Sequence, residues 1–385
     1  MGVVECSSCQ KTEGELNANN LNNEKNNINI STQHNLDMKL ARENFNEYFK
    51  LKLPQIGEYY NGNFNNLIPE KIRNYITENL LDISKYEISD NNIFETKPIK
   101  FKNGNIYKGN WNKNGEMQGE GLYILINDNA LAEGVWDKGE LKGGRIFLPN
   151  GDIYEGEIKN STFNGKGKLI CDDGIIYEGD FINGEKNGNM KIIYPDGSYY
   201  KGDYRYDNLN GIGEFFWKKG FVYNGNFLNG KLEGQGILKN ETNGSEYNGL
   251  FYNNNFEGKG IFKWNNGNIY DGNYHLSKKD GEGIYKEKNG ISYKGNWVNG
   301  KPHGVGELNK GGKIYKCSWR NGEPIETPSL KNDDSHNNKI SAEDLNDLFF
   351  IPEEEDIDIN NLDYLIRDFR EGDFKPNENF SGIFH

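Results

Sequence analysis

The sequence is poor in the residues that build a thick core. Only 34% of its 385 residues are hydrophobic, with 4 cysteines, 4 methionines and 10 prolines, so one large globular core is not expected. No apolar run approaches the roughly eighteen residues of a membrane span, and the N-terminus lacks the apolar stretch of a secretory signal. These absences predict an intracellular chain whose Cys6, Cys9, Cys171 and Cys317 stay reduced. Basic clusters are missing too. The net charge is -13, and residues 333–385 alone hold 15 acids against 4 bases. What precedes them is close to neutral, which argues against nucleic acid as a partner and against a polybasic lipid patch.

The motifs of common enzymes are also absent. There is no G-x-x-x-x-G-K-[ST], no G-x-G-x-x-G opening a helix, no H-E-x-x-H and no G-x-S-x-G. The 5 histidines are scattered. Cys6-Ser7-Ser8-Cys9 spells C-x-x-C but has no second ligand pair nearby, so metal or redox use is not expected. Asp356, Asp358 and Asn360 imitate the start of a calcium loop. Asn361 stands where its turn needs glycine, and Arg367 where a bidentate glutamate is needed. No cofactor, no metal and no catalysis are the expectation.

Abundant instead are glycine, 48 residues, and aromatic rings, including 23 tyrosines and 21 phenylalanines. From Tyr107 one phrase recurs: Y-x-G-x-[aromatic], a turn, then G-x-G and an apolar residue. It opens at Tyr107, Ala132, Tyr154, Tyr177, Tyr200, Tyr223, Tyr247, Tyr270, Tyr293 and Tyr315, with successive gaps of 25, 22, 23, 23, 23, 24, 23, 23 and 22 residues. Such a period marks a repeat architecture. Within a unit, Tyr293, Gly295 and Trp297 lie at i, i+2 and i+4 and share one face of a strand, as do Gly304, Gly306 and Leu308 on the next. The glycines are expected to make room for rings of a neighbouring hairpin, and the rings to form a ladder. That face is predicted to carry Tyr107, Trp111, Tyr154, Tyr177, Phe181, Tyr200, Tyr204, Tyr223, Phe227, Tyr247, Phe251, Tyr270, Tyr274, Tyr293, Trp297, Tyr315 and Trp319. Asn-Gly and Asp-Gly pairs such as Asn150-Gly151 and Asn266-Gly267 fall between units, where tight turns with positive φ are expected.

The phrase resembles the MORN repeat, the membrane occupation and recognition nexus family, over residues 104 to about 322. The fold expected is an all-β repeat: an elongated single-layer antiparallel sheet of about ten hairpins, nine complete and a tenth truncated, roughly 90–100 Å long at two ~4.8 Å strands per unit. Three departures stand out. Ala132 replaces an opening aromatic, Met190 the second glycine of a G-x-G pair, and Cys317 the glycine between Tyr315 and Trp319. Irregular packing is expected at the first two and a terminating cap at the third. Tyr60-Asn61-Gly62-Asn63-Phe64 repeats the opening phrase without its second half and reads as a chance match.

The array is assigned to residues 96–326, and its flanks are read separately. Residues 1–37 form an Asn-rich tether unable to bury enough apolar surface to order. Residues 38–95 form a small helical flank, with one helix over 38–53. Another opens at Pro69 with a stripe of Ile68, Ile72, Tyr75, Ile76 and Leu80, expected to hide the unpaired edge of the first hairpin. Residues 327–340 read as a linker. Residues 341–385 form an acidic tail with two short apolar segments, Leu345, Leu348 and Phe349, then Leu362, Leu365, Ile366 and Phe369. Either folds back on the aromatic face or docks another protein.

Met1-Gly2-Val3-Val4-Glu5-Cys6 approaches the N-myristoylation pattern, although Ser7 comes one position late. Cys6 and Cys9 sit where dually acylated proteins carry palmitate. One myristoyl chain binds a membrane only marginally, so acylated Gly2 with Cys6 and Cys9 makes the anchor expected. The resemblance then implies a non-catalytic scaffold at a membrane–cytoskeleton junction, on the cytosolic face of a plasma membrane, inner membrane complex or cell cortex, binding protein partners. Asn, Lys and Ile enrichment suggests an alveolate source. Two alternatives stay open: a ciliary component like the MORN-bearing proteins of radial spoke heads, and direct phospholipid binding by the repeats. Exposed end strands make a homodimer credible.

Overall fold

The computed structural model describes residues 58–89, 93–127, 129–326 and 329–331. Gly2, Cys6 and Cys9, the helix expected over 38–53, and the tail positions from Leu345 to Phe369 lie outside them. The chain divides into two compact units, with the boundary between Lys186 and Asn187. It falls inside the repeat that carries Met190.

The fold is all-β, built from consecutive antiparallel hairpins. In the first unit, Ile106–Asn112 pairs with Met117–Leu125, Ala130–Asp137 with Glu140–Phe147, and Ile153–Lys159 with Thr162–Ile170, which in turn pairs with Ile176–Ile182. In the second unit the hairpins open at Tyr200, Tyr223, Tyr247, Tyr270 and Tyr293, and Lys313–Arg320 follows. Within each unit, each hairpin pairs with the next. Period-two alternation therefore sorts every strand into an aromatic face and a second face.

Turn chemistry differs from the expectation in placement. At most of the turns between repeats a single glycine takes positive φ, as Gly267 does at +89°. Its N–H donates to Trp264 O at 3.0 Å, and Asn266 Oδ1 accepts from Asn268 N at 2.9 Å. That is a three-residue loop closed by an Asx contact. The tighter turns, with both central residues at positive φ, lie inside the units: Asn160-Ser161, Tyr206-Asp207, Asn253-Asn254 and Leu276-Ser277 among them. Asn253-Asn254 and Leu276-Ser277 are held from outside, Asn254 N donating to Leu232 O at 3.1 Å. Ser277 N donates to Phe256 O at 3.0 Å and Gly300 N to Lys279 O at 2.8 Å, so a hairpin tip hangs on the preceding hairpin.

The N-terminal flank is mixed rather than helical. Helix α1, Glu70–Glu78, starts at Pro69 and ends at Asn79, whose Nδ2 donates to Tyr75 O at 3.0 Å. Leu80, expected on its apolar stripe, lies beyond the helix and is 88% exposed. The edge of the first hairpin is covered by short strands instead, Ile93–Glu95 and Ile99–Lys100, the latter paired in turn with Glu58–Tyr59. Helix α1 takes the second face. Phe64 and Ile68 join Ile106, Ile124, Leu131 and Phe147 in one apolar cluster, with Ile72, Tyr75 and Ile76 packed against it. The Tyr60 phrase is no hairpin. Tyr60 lays its ring against Gly62 as the repeats do, but Phe64 opens a 3-10 turn, Phe64–Leu67, and goes into this cluster.

Candidate functional site

Two surfaces compete for the role of binding site: the aromatic ladder and the face behind it. The ladder is built one unit at a time. Tyr247 lies across Gly249 and Gly260, which face each other in the register of its own hairpin. A Cβ on Gly260 would come within 2.4 Å of its hydroxyl. Tyr107, Tyr154, Tyr200, Tyr223, Tyr270 and Tyr293 cover their own glycine pairs in the same way. The ring over the gap thus belongs to the same hairpin and not to a neighbour. The cause is local. Tyr at i and Gly at i+2 share a face, so the ring needs only to lie down along its own strand.

Its hydroxyl then meets a second need. A bulge follows the glycine, and the register slips between Gly249 and Phe251. The Leu250 carbonyl at the slip accepts from Tyr247 Oη at 2.9 Å. Tyr200 reaches Asp203 O at 2.9 Å, Tyr223 reaches Asn226 O at 2.9 Å, and Tyr270 reaches Asn273 O at 3.1 Å. Phenylalanine at this position would leave the carbonyl at the slip without this donor. Burial pushes these phenols well above the ordinary tyrosine range, so they stay neutral donors. The G-x-G pair also divides its labour: the first glycine, such as Gly258 at φ +61° or Gly304 at φ +72°, provides a left-handed backbone, and the second lies beneath the ring. None of this bulge chemistry is visible in the period of the repeat.

Within a repeat and between repeats the rings meet edge to face. Tyr223 touches Phe227 and Phe251, both at 5.1 Å between centroids, and Tyr270 touches Tyr274 and Trp297, both at 5.2 Å. Tyr107 with Trp111, Tyr154 with Phe181, Tyr200 with Tyr204, and Tyr293 with Trp297 and Trp319 keep the pattern. Each such pair contributes about 0.5–1.5 kcal/mol beyond burial. Tyr177 and Tyr315 are only half-buried, and Tyr177 carries the Lys186 ammonium over its ring at 4.2 Å. A second lysine was not foreseen: Lys279, 1% exposed, has its ammonium 4.9 Å from the centre of the Trp264 ring and 5.4 Å from that of Trp297. It occupies the place of Phe163, Leu232 and Phe256 in other repeats.

The three departures have different outcomes. Ala132 pairs with Tyr123, whose ring lies 5.9 Å from Trp136, so an aromatic from the partner strand stands in for the missing one. Met190 pairs with Gly202 and is fully buried. Cys317 pairs with Gly306, burial pushes its thiol up to about 11, and short strands Glu323–Pro324 and Ser329–Leu330 close the edge of its strand.

The second face differs between the units. In the first it is covered. Arg145, 1% exposed, pairs with Glu133 at 2.7 Å and Glu155 at 3.0 Å, and its guanidinium lies 5.2 Å over the Tyr75 ring of α1. Tyr75 meets Phe147 edge-on at 5.8 Å, and Tyr86 lies against Gly143 while its hydroxyl donates to Gly156 O at 3.1 Å. A cleft of about 640 Å³ remains beside α1. Arg73 and Lys108 face Glu95, Glu120 and Glu133 across it, a balance that favours no ligand charge. In the second unit Ile212, Ile237, Leu250, Ile261 and Val305 are exposed on this face, among lysines and carboxylates. Among the described residues no cluster of His, Cys, Asp or Glu has the arrangement of a metal site, and no helix is long and apolar enough to cross a membrane.

No curated protein matches the chain. Among solved structures it is similar to the TCP domain of Drosophila melanogaster SAS-4, solved with a proline-rich motif of Ana2, at 13% identity over 40% of this chain and 84% of that one, with a TM-score of 0.28. It is also similar to the Danio rerio CPAP TCP10 domain, solved with a STIL peptide, at 11% identity over 62% and 99%, with a TM-score of 0.27. At such scores they say nothing of what this chain binds. The MORN repeat model matches residues 107–129, 154–176, 177–199, 200–222, 223–244, 247–269, 270–291 and 293–310. All eight segments begin on a repeat tyrosine, seven of them on one that lies over a glycine pair, and the chain belongs to the MORN-repeat proteins.

Proposed function

We propose that the protein is a non-catalytic scaffold, held on the cytosolic face of a membrane by acyl groups on Gly2, Cys6 and Cys9, that gathers protein partners at a membrane–cytoskeleton junction. MORN repeats are associated with membranes and with protein or lipid binding, and the repeats supply that coarse role. One observation carries the finer one. The ladder rings are closed on each other, while the second face of the second unit leaves Ile212, Ile237, Leu250, Ile261 and Val305 exposed among charges. Apolar side chains set in a polar surround suit a protein partner. The same face mixes lysines with carboxylates, which gives direct phospholipid binding little electrostatic support. For the anchor, a single myristoyl chain holds at only about 10⁴ M⁻¹, so the cysteines complete it.

Imaging and fractionating a tagged Gly2→Ala chain tests the anchor. Release into the soluble fraction is expected. Unchanged localisation overturns it and favours assembly into a cytoskeletal or ciliary structure. Sedimentation of the unacylated full chain with acidic liposomes separates the lipid-binding alternative, and no sedimentation is expected.

A further inference from the structure

Along one edge of the second unit, every hairpin tip carries a single large apolar side chain that is exposed. In the hairpins that open at Tyr200, Tyr223, Tyr247, Tyr270 and Tyr293 these are Tyr206, Leu228, Tyr252, Leu276 and Val298, between 37% and 62% exposed. The turns at the other ends of these strands, residues 195–198, 218–220, 241–244, 265–268 and 287–291, expose no large apolar side chain. The two edges of one sheet therefore differ, and only the tips form an apolar row.

The row is kept against local preference. In three hairpins the apolar residue is the last of the outgoing strand, and an asparagine follows it in left-handed backbone: Asn229, Asn253 and Asn299 at φ +50°, +50° and +49°. In the other two the last strand residue is polar, Arg205 or His275, and the left-handed position itself carries the apolar side chain: Tyr206 at φ +50° and Leu276 at φ +47°. Bulky side chains disfavour that backbone, while asparagine tolerates it. Burial does not explain the choice, because Tyr206 and Leu276 are both more than half exposed. Backbone strain under an exposed apolar side chain points to a contact outside the chain.

Charge at the tips is sorted in the same direction. The carboxylates of Glu233, Glu257 and Asp280 are half-buried and hold the next tip, accepting from Asn253 N at 3.0 Å, Leu276 N at 3.2 Å and Asn299 N at 3.2 Å. Arg205, Lys278 and Lys301, beside the row, are exposed. The step of the row also selects a partner. Successive tips are two strands apart, about 9.6 Å, and sheet twist lengthens that step at an edge. Seven residues of α-helix rise about 10.5 Å, whereas one side of an extended segment repeats every ~6.7 Å.

We infer that this edge docks an acidic amphipathic helix of a partner protein, with one apolar residue per heptad against each tip and carboxylates facing Arg205, Lys278 and Lys301. The inference rests on the scaffold reading and deepens it by naming the chemistry of one partner. Its test leaves Gly2 and the isoleucines of the second face untouched, so either can fail alone.

The probe is a synthetic helix of five heptads, Leu-Ala-Glu-Ala-Ala-Glu-Ala repeated, with binding to the full chain read by fluorescence anisotropy. The same peptide with lysine in place of glutamate should not bind. Tyr206→Asn combined with Leu276→Asn removes two anchors and installs the residue that other hairpins use there. Affinity should fall roughly tenfold while the melting temperature holds or rises. Lys278→Glu should weaken binding as well. No binding, equal binding of the lysine peptide, or unchanged affinity in the double variant overturns the inference. A lowered melting temperature in that variant overturns it too, since the two side chains would then serve the fold. Sedimentation with phosphatidylserine vesicles, or dimer formation, that the double variant abolishes also overturns it, and assigns the edge to a membrane or to a second copy of the chain.

Discussion

The two units share a ladder and differ behind it. In both, a tyrosine lies over a glycine pair, as at Tyr154 and at Tyr247. In the first, α1 and the Tyr86 segment cover the second face, and a buried Arg145 with two carboxylates sits beneath them. In the second, the corresponding positions hold isoleucine and lysine, with Ile237 and Ile261 exposed and Ile284 half-buried. The comparison separates what makes the repeat fold from what the repeat can hold. Folding depends on the aromatic face, which is the same throughout, and binding depends on the face that varies.

That division can be broken in steps, from the largest effect down. Tyr154→Ala and Tyr247→Ala each remove a fully buried ring and its edge-to-face contacts. Both should cost about 3–5 kcal/mol in urea unfolding, because the ladder is common to the units. A near-neutral result in either would mean that the ladder is ornament. Tyr75→Ala removes the ring between Arg145 and Phe147 and should cost about 2 kcal/mol. Hydrogen exchange should rise in strands 106–147 and stay unchanged in strands 221–286, and a rise in both sets would erase the contrast. Tyr247→Phe keeps the ring and deletes only the donor to Leu250 O, a loss of about 1 kcal/mol that thermal melts can resolve.

The smallest effect is electrostatic. His275 Nδ1 lies 3.0 Å from Glu257 Oε1, and that hydrogen bond raises the imidazole pKa above its ordinary value of 6.5. A raised folded pKa means the contact is fully present below the ordinary value and is lost as pH rises through the higher one. An NMR titration of the full chain should show this shift, and Glu257→Gln should abolish it.

Much of the fold is legible from spacing alone. Tyr and Gly at i and i+2 and a 23-residue period determine hairpins, faces and ladder, because side-chain alternation follows directly from sequence. What the period hides is the bulge. A register slip needs a carbonyl left over and a donor to meet it, and the phrase Y-x-G-x shows neither until Tyr247 is seen reaching Leu250. The same blindness gave both glycines of G-x-G one purpose when Gly258 and Gly260 have two. Turns misled for a related reason: Asn-Gly is the familiar tight-turn signal, yet Leu276-Ser277 takes two positive φ values because its Ser277 N–H is held by Phe256 O. The second face was legible only as mixed polarity. Its covering by α1 depends on where the flank packs, and a stripe such as Ile72 and Tyr75 does not say which surface it will meet.

Hydroxyl-radical footprinting of the full chain tests most directly the claim that the aromatic face is closed on itself and the second face is open. Tyr223, Tyr247 and Tyr270 should oxidise slowly, while Tyr252, Ile212 and Val305, each more than half exposed, should oxidise fast. Ladder tyrosines that react as quickly as Tyr252 would contradict it.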